Sequence, residues 1–125
     1  MSVKGSNEEE LYQSVVEALK NYFVGKKGVD TIFWITSRGI PDEVRRLLRS
    51  EIVFLVDKEF RPAIVGVLRL STQQVTQQKL VTIEVKSRVD LRSWFQTKNH
   101  GDLYNAEIAL LVSPAPMPGK DKAAN

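Results

Sequence analysis

The chain has 125 residues, of which 42% are hydrophobic and 26% are charged. That is the composition of an ordinary globular protein, and the length suits one domain with a single modest core. The chain lacks cysteine, which excludes disulfide bonds and thiolate zinc sites. It contains one histidine, too few for a histidine-rich metal site, and its net charge of +3 permits nucleic-acid binding without requiring it.

No apolar run in the sequence approaches the length that a bilayer-spanning helix needs. The first ten residues, MSVKGSNEEE, are too polar for a secretory signal. We therefore expect a cytoplasmic protein with no membrane partner.

The first half of the chain predicts two helices and two strands. Apolar residues recur at helical spacing from Leu11 to Tyr22, and Gly25 marks the end of this helix. Pro41 and the acidic residues after it are typical of a helix start. Short apolar runs rich in branched residues predict strands. In chain order we predict a helix over 8–23, a strand over 31–36, a short helix over 40–50 and a strand over 51–57.

The second half predicts three strands and one helix. Together with the run over 51–57, the first two of these strands most simply form an antiparallel meander. The helix should place Trp94 and Phe95 in the core and break at Gly101, which leaves His100 in a loop. The strands are predicted over 63–70, 79–87 and 106–114, and the helix starts at residue 89.

This order of elements predicts an α/β sandwich, in which helices flank a central mixed β-sheet. We expect residues 1–114 to form one domain. The Pro-rich and charged segment over 115–125 lacks apolar periodicity and is predicted to be a disordered tail.

Two charged residues share one face of the strand over 79–87. Side chains alternate along a strand, so Glu84 and Lys86 project together while Val85 projects the other way. A carboxylate beside a lysine can hold a divalent metal ion, and the ammonium can orient water or offset charge on a phosphate. The alternative interpretation is a salt bridge between these two side chains on a half-exposed strand.

Position 63 should lie near this pair. If the strands over 63–70 and 79–87 are antiparallel neighbours, the start of the first lies beside the end of the second. A carboxylate at position 63 would then complete a metal site, because Mg²⁺ is usually held by one or two carboxylates together with water. The sequence has Ala63 there.

These motifs resemble those of the PD-(D/E)xK nuclease superfamily, the restriction-endonuclease-like fold that includes archaeal Holliday junction resolvases. The resemblance covers most of residues 4–114, with a looser match over 31–57. It implies a restriction-endonuclease-like sandwich and a DNA endonuclease that uses Mg²⁺ or Mn²⁺, with Glu84 as a metal ligand and Lys86 as the catalytic lysine. The matching pieces are the helix KGSNEEELYQSVVEAL, RPAIVGV, LVTIEVKS, the helix from Val89 and AEIALLVSP.

The departure from this superfamily is Ala63, where the resemblance implies a metal-binding aspartate. The chain as written is therefore expected to be inactive or nearly so. Either the aspartate was replaced deliberately, to trap substrate or block toxicity, or the domain lost it naturally and is kept for binding. The retention of Pro62, Glu84 and Lys86 favours deliberate replacement.

Other carboxylates are candidates to complete the metal site. Asp57 ends a predicted strand shortly before Ala63, with a simple turn residue as the alternative. Glu8 falls on the inward face of the first helix, and Glu9 matches better the spacing from Gly5 that resolvase-like members show. Acidic residues also favour helix starts on electrostatic grounds alone, which leaves both glutamates open.

Six residues are candidates for contacts with DNA. Arginines clustered on the short helix or just beyond the Glu84 strand can bind phosphates without reading sequence, although such clusters usually form a solvated surface. Two further polar residues lie on the helix where the resemblance implies contacts with the active site or DNA. The candidates are Arg45, Arg49, Arg88, Arg92, Gln96 and Lys98.

No segment is left over for a separate recognition subdomain, so we expect a structure-selective or weakly sequence-specific endonuclease. A domain of this size offers a limited footprint, and we expect a homodimer acting on DNA that is branched or contains single strands. Two alternatives remain open. One is a non-catalytic nucleic-acid-binding or assembly subunit with the same fold, and the other is an unrelated α/β interaction domain.

Overall fold

The structure, a computed structural model, describes residues 4–56 and 59–113, with the side chains of 4–9 and 38 left out. Four helices and four strands form the described part of the chain. A single 3₁₀ turn, Thr36–Arg38, follows the first strand. The elements are α1 (Lys4–Phe23), β1 (Val29–Ile35), α2 (Asp42–Arg45), α3 (Ser50–Val56), β2 (Ile64–Ser71), β3 (Thr76–Val85), α4 (Leu91–Tyr104) and β4 (Ile108–Val112).

The four strands form one mixed sheet in the order β1-β2-β3-β4. The first three strands are antiparallel neighbours, with Ile35 opposite Ile64 and Ile64 opposite Ile83. Strand β4 lies parallel to β3, which requires a crossover connection, and α4 provides it. The predicted α/β class with a central mixed sheet and flanking helices is therefore confirmed.

Each face of the sheet carries its own hydrophobic core. On one face, Val15 and Val16 of α1 pack with Ile64, Val81 and Ile83 of the central strands. The other face is covered by α2, α3 and α4. Its buried residues are Ile40, Val44, Leu48, Ile52, Val56, Val65, Val67, Leu80 and Tyr104. Because side chains alternate along a strand, Glu84 belongs to this second face.

The prediction of a strand over 51–57 is wrong, because Ser50–Val56 is the helix α3. Its buried residues, Ile52 and Val56, are four positions apart, which is the spacing of one helix face. Phe54 and Leu55 point outward and are exposed. A short apolar run does not distinguish a strand from a buried helical turn. Strand β1 takes the place that this run was expected to hold in the meander.

The helix predicted over 40–50 is also shorter than expected. Helix α2 ends at Arg45, and the chain then makes a turn in which the Leu48 amide donates to the Arg45 carbonyl at 3.1 Å. Arg45 and Arg49 were expected four residues apart on one helix. Instead, Arg49 lies in the turn that precedes α3.

Helix α4 differs from its prediction in continuity and in the face that it buries. It runs without a break through Gly101, so His100 is a helical residue and not a loop residue. Trp94 and Phe95 were predicted to lie in the core, yet they are 54% and 52% exposed. The residues that α4 buries are Ser93, Thr97, His100, Gly101 and Tyr104. Because most of these are small or polar, the apolar pattern of the sequence indicated the opposite face.

Some predictions fall beyond what the structure describes. Asp57 and the tail over 115–125 lie outside the described residues, and so do the side chains of Glu8 and Glu9 on α1. Within the described segments, none of the helices combines the length and the apolar character that crossing a bilayer would need.

Candidate functional site

Hydrogen bonds from Thr36, just after β1, hold the backbone at position 63, where β2 begins. The pairing of β2 with β3 ends at Ile64 opposite Ile83, so Ala63 lies one residue before the paired region and Glu84 one residue beyond it. The Thr36 amide donates to the Ala63 carbonyl at 3.1 Å, and the Thr36 hydroxyl donates to the Pro62 carbonyl. Ala63 lies in a bend, and its side chain packs against the core on the α1 face. The backbone at position 63 is therefore well held, beside the end of β3.

Glu84 is a buried carboxylate whose partner comes from α4. The residue is only 4% exposed, and its Oε2 atom makes a hydrogen bond with Nδ1 of His100, which is 7% exposed. A buried carboxylate without a partner would be costly, so this contact explains how the strand tolerates the charge. Glu84 and Lys86 form no ion pair, which argues against the salt-bridge interpretation.

Lys86 lies just past the end of β3 and remains available. Its amide donates to the Val112 carbonyl at 3.0 Å, which continues the pairing with β4. The half-buried Lys86 side chain has no hydrogen bond or ion pair with any described residue. The Ser93 backbone N–H lowers the pKa of Asp90 below its ordinary value, and the Ser93 hydroxyl, Arg92 and Lys86 lower it further. The Lys86 ammonium is therefore close enough to the start of α4 for its charge to be felt there.

The residues described around Glu84 do not by themselves fit a divalent metal ion. No group of three acidic or histidine side chains comes together anywhere in residues 10–56 and 59–113. Glu84 already accepts from His100, and Ala63 supplies no oxygen ligand. The hydroxyl of Thr82, two residues before Glu84 on the same face, is buried with no hydrogen-bond partner in the described chain. An aspartate at position 63 would reach Glu84 only if its side chain turned away from the α1 face, on which Ala63 packs.

A groove runs along α4 beside Glu84 and His100. It has a volume of about 610 Å³ and is open to solvent along its length. His100, the partner of Glu84, is one of the residues that line it. The residues that line it are Phe60, Arg92, Phe95, Gln96, Asn99 and His100. Two of the predicted DNA-contacting residues, Arg92 and Gln96, are among them.

The other residues predicted to contact DNA differ in their hydrogen bonds and ion pairs with described residues. Arg45 donates to the Ile40 carbonyl at 2.9 Å, and Arg49 lies 3.8 Å from a carboxylate oxygen of Glu51. Lys98 donates to Asp102 at 3.2 Å, four residues along α4. In contrast, Arg88 and Arg92 are exposed and form no ion pair with any described residue. Among the predicted DNA contacts, Arg88 and Arg92 are therefore the cations without an ion pair to a described residue.

His100 is the site residue that the sequence did not indicate. Its predicted loop position came from reading Gly101 as a helix break. The spacing of Thr97, His100, Gly101 and Tyr104 would have identified the buried face of α4, because these residues recur every three or four positions. That signal is not hydrophobic, and apolar periodicity does not detect it.

The structure thus places Ala63, Glu84 and Lys86 near the start of β2 and the end of β3, which are the two central strands. The groove lined by Arg92 and Gln96 lies beside them. It adds His100 to this group and holds Arg45 and Arg49 in local contacts.

A scan against protein-family models, a search of curated proteins and a search of solved structures each found no match to the chain.

Proposed function

We propose that this chain is a DNA endonuclease of the PD-(D/E)xK type, with a restriction-endonuclease-like fold, in which Ala63 replaces the metal-binding aspartate. The observation that carries the proposal is the register of β2 and β3. It ends with Ile64 opposite Ile83, so position 63 lies just before the start of β2, near the end of β3 that carries Glu84, and Lys86 lies just past that end. The resemblance implies an N-terminal helix, a hairpin of two strands, a helix and a further strand, and α1, β2, β3, α4 and β4 follow in that order.

The roles of the residues follow from their environments. With an aspartate at position 63, that residue and Glu84 would hold Mg²⁺ or Mn²⁺, which polarises a phosphate and offsets charge on the leaving oxygen. The available ammonium of Lys86 would bind the phosphate oxygens or orient the attacking water. Arg88 and Arg92 would bind backbone phosphates on either side. Since the aspartate is missing, the present chain would bind DNA without cutting it.

The test restores the missing carboxylate. We expect Ala63→Asp to gain DNA cleavage in Mg²⁺ or Mn²⁺, and the present chain to show none. Linear, supercoiled and branched DNA should be compared by gel, with and without chelator. Because a side chain at position 63 packs toward α1 in this chain, the circular dichroism of the variant should be checked against that of the present chain.

Two matched variants show whether the gained activity belongs to this site. Adding Lys86→Ala to Ala63→Asp should abolish cleavage, and so should adding Glu84→Gln. Ala63→Asn is nearly the same size as Ala63→Asp but carries no charge, so it should remain inactive. Cleavage by the present chain, or cleavage that survives Lys86→Ala, would contradict the proposal.

A non-catalytic nucleic-acid-binding subunit is the second candidate, and one observation favours it. The Glu84 carboxylate is already satisfied by His100, which is the state expected of a structural residue. This candidate predicts that a folded Ala63→Asp variant binds DNA as tightly as the present chain and cleaves none of the substrates. The same experiment therefore separates the two functions.

A further inference from the structure

Apart from His100, which bonds to Glu84, the groups that line the groove have no partner among the described residues. Neither the Phe60 ring nor the Phe95 ring stacks on another aromatic ring in the described chain. The amides of Gln96 and Asn99 make no hydrogen bond with a described residue, and Arg92 forms no ion pair. Exposed polar groups are normal, but two rings, two amides and a guanidinium around one 610 Å³ groove are a set of binding groups.

Phe60 is held toward this groove at a conformational cost. Its φ angle is +62°, in the left-handed region that a bulky side chain rarely adopts. The Tyr104 hydroxyl donates to the Phe60 carbonyl at 3.2 Å, which ties this loop to the end of α4. The ring is nevertheless 46% exposed, so burial does not repay the strain. Strained residues of this kind cluster at binding sites.

Helix α4 presents Trp94 and Phe95 outward and buries Tyr104 together with small polar residues. The outward position of Phe95 gives no stability through burial, since the ring is 52% exposed. An exposed aromatic ring beside an arginine is the combination that binds unpaired nucleotides, because every base has a face for stacking and the phosphate carries the charge. The two amides add hydrogen-bonding groups that can meet the edge of a base.

We propose that this groove binds an unpaired nucleotide of a single-stranded segment, with its base against Phe60 and Phe95 and its phosphate on Arg92. The inference rests on the proposed function, since it names the substrate class of the same site. A base within a duplex is stacked on both faces and cannot occupy the groove in this way. The site therefore selects DNA in which at least one base beside the cleaved bond is unpaired.

A second copy of this chain is a less suitable occupant. It would bring its own Arg92 toward the same surface, and like charges brought together oppose association. It would also bury the amides of Gln96 and Asn99, which would then require partners. A single-stranded segment supplies opposite charge to the arginine and hydrogen-bonding edges to the amides.

The experiment measures binding by the present chain, in chelator, so that cleavage plays no part. A fluorescent thymidine decamer is compared with an abasic decamer, which has the same phosphates and no bases. We expect the thymidine decamer to bind about tenfold more tightly, as the stacking of one base would give. Phe60→Leu and Phe95→Leu keep apolar bulk but remove the aromatic face, and each should remove most of that difference without changing abasic binding.

The control is Phe54→Leu on α3, a change of the same kind at a residue that is 66% exposed and does not line the groove. It should leave both affinities unchanged. Equal affinity for the two decamers, or a preference that survives both groove variants, would overturn the proposal. Concentration-dependent dimerisation that is lost in Phe95→Leu would place a second copy on this face and would also overturn it. Failure of Ala63→Asp to cleave would leave this binding result intact, so the two proposals can fail separately.

Discussion

At the scale of single residues, the contact between Glu84 and His100 sets the character of the site. Glu84 lies in a central strand and is only 4% exposed, in a position where most chains carry an apolar residue. His100 lies on the helix that crosses over this strand and supplies the hydrogen bond. The pair therefore links the strand to α4 and holds the carboxylate on the α4 face of the sheet.

Removing either member of this pair should cost stability. We expect His100→Ala to lower the free energy of unfolding by about 3 kcal/mol, because it leaves a buried carboxylate without its partner. His100→Asn should cost less, since the amide can still donate near the place of Nδ1. Urea denaturation of His100→Ala, Glu84→Ala and the double variant gives the coupling, expected at about 1–3 kcal/mol. Asn99→Ala, at the exposed neighbouring position, is the control, and additive losses from the two alanines would contradict the prediction.

At the scale of elements, the packing of α4 on the sheet depends on Gly101. A methyl group built on Gly101 would lie 2.7 Å from the Cβ of Ala109 and 3.7 Å from the hydroxyl of Thr82. The first distance is shorter than any normal contact between carbon atoms. Glycine at this position therefore lets the helix approach β4 closely, although glycine is a poor residue for the interior of a helix.

The variant Gly101→Ala tests this close approach. Alanine should gain about 1 kcal/mol in helix propensity but lose about 1–3 kcal/mol through the overlap with Ala109. We expect a net loss in the free energy of unfolding, measured by urea denaturation. In an Ala109→Gly background the overlap disappears, and the same change should become neutral or stabilising. A loss that is equal in both backgrounds would mean that Ala109 is not the cause.

The elements also show how far the sequence could predict this structure. The strands β2 and β3 and their antiparallel pairing followed from apolar runs with clear periods, and the two strands pair from Ile64–Ile83 to Ser71–Thr76. The helix α3 was mistaken for a strand, since a run of five apolar residues fits both periods and only tertiary packing selects Ile52 and Val56. The buried face of α4 was missed because it consists largely of Gly101 and small polar residues. These residues let the helix pack closely on the sheet but leave no apolar pattern in the sequence.

At the scale of the whole molecule, charge divides between the two layers that cover the sheet. Helix α1 carries four glutamates and two lysines, whereas the segment from Lys86 into α4 carries the unpaired Arg88 and Arg92. A net charge of +3 is too small to hold nucleic acid without such segregation. We therefore expect single-stranded DNA to approach the α4 layer, and its affinity to depend on salt through these two arginines.

Neutralising those arginines should change the salt dependence by a predictable amount. For single strands, the slope of log affinity against log salt is about 0.7 per phosphate contact, so Arg88→Gln with Arg92→Gln should reduce it by about 1.4. The control is Lys20→Gln with Lys26→Gln, which removes the same charge at α1 and just after it. If net charge alone governs binding, both double variants will change the slope equally. If the α4 layer is the binding face, the slope will change in the arginine variant and stay constant in the lysine variant.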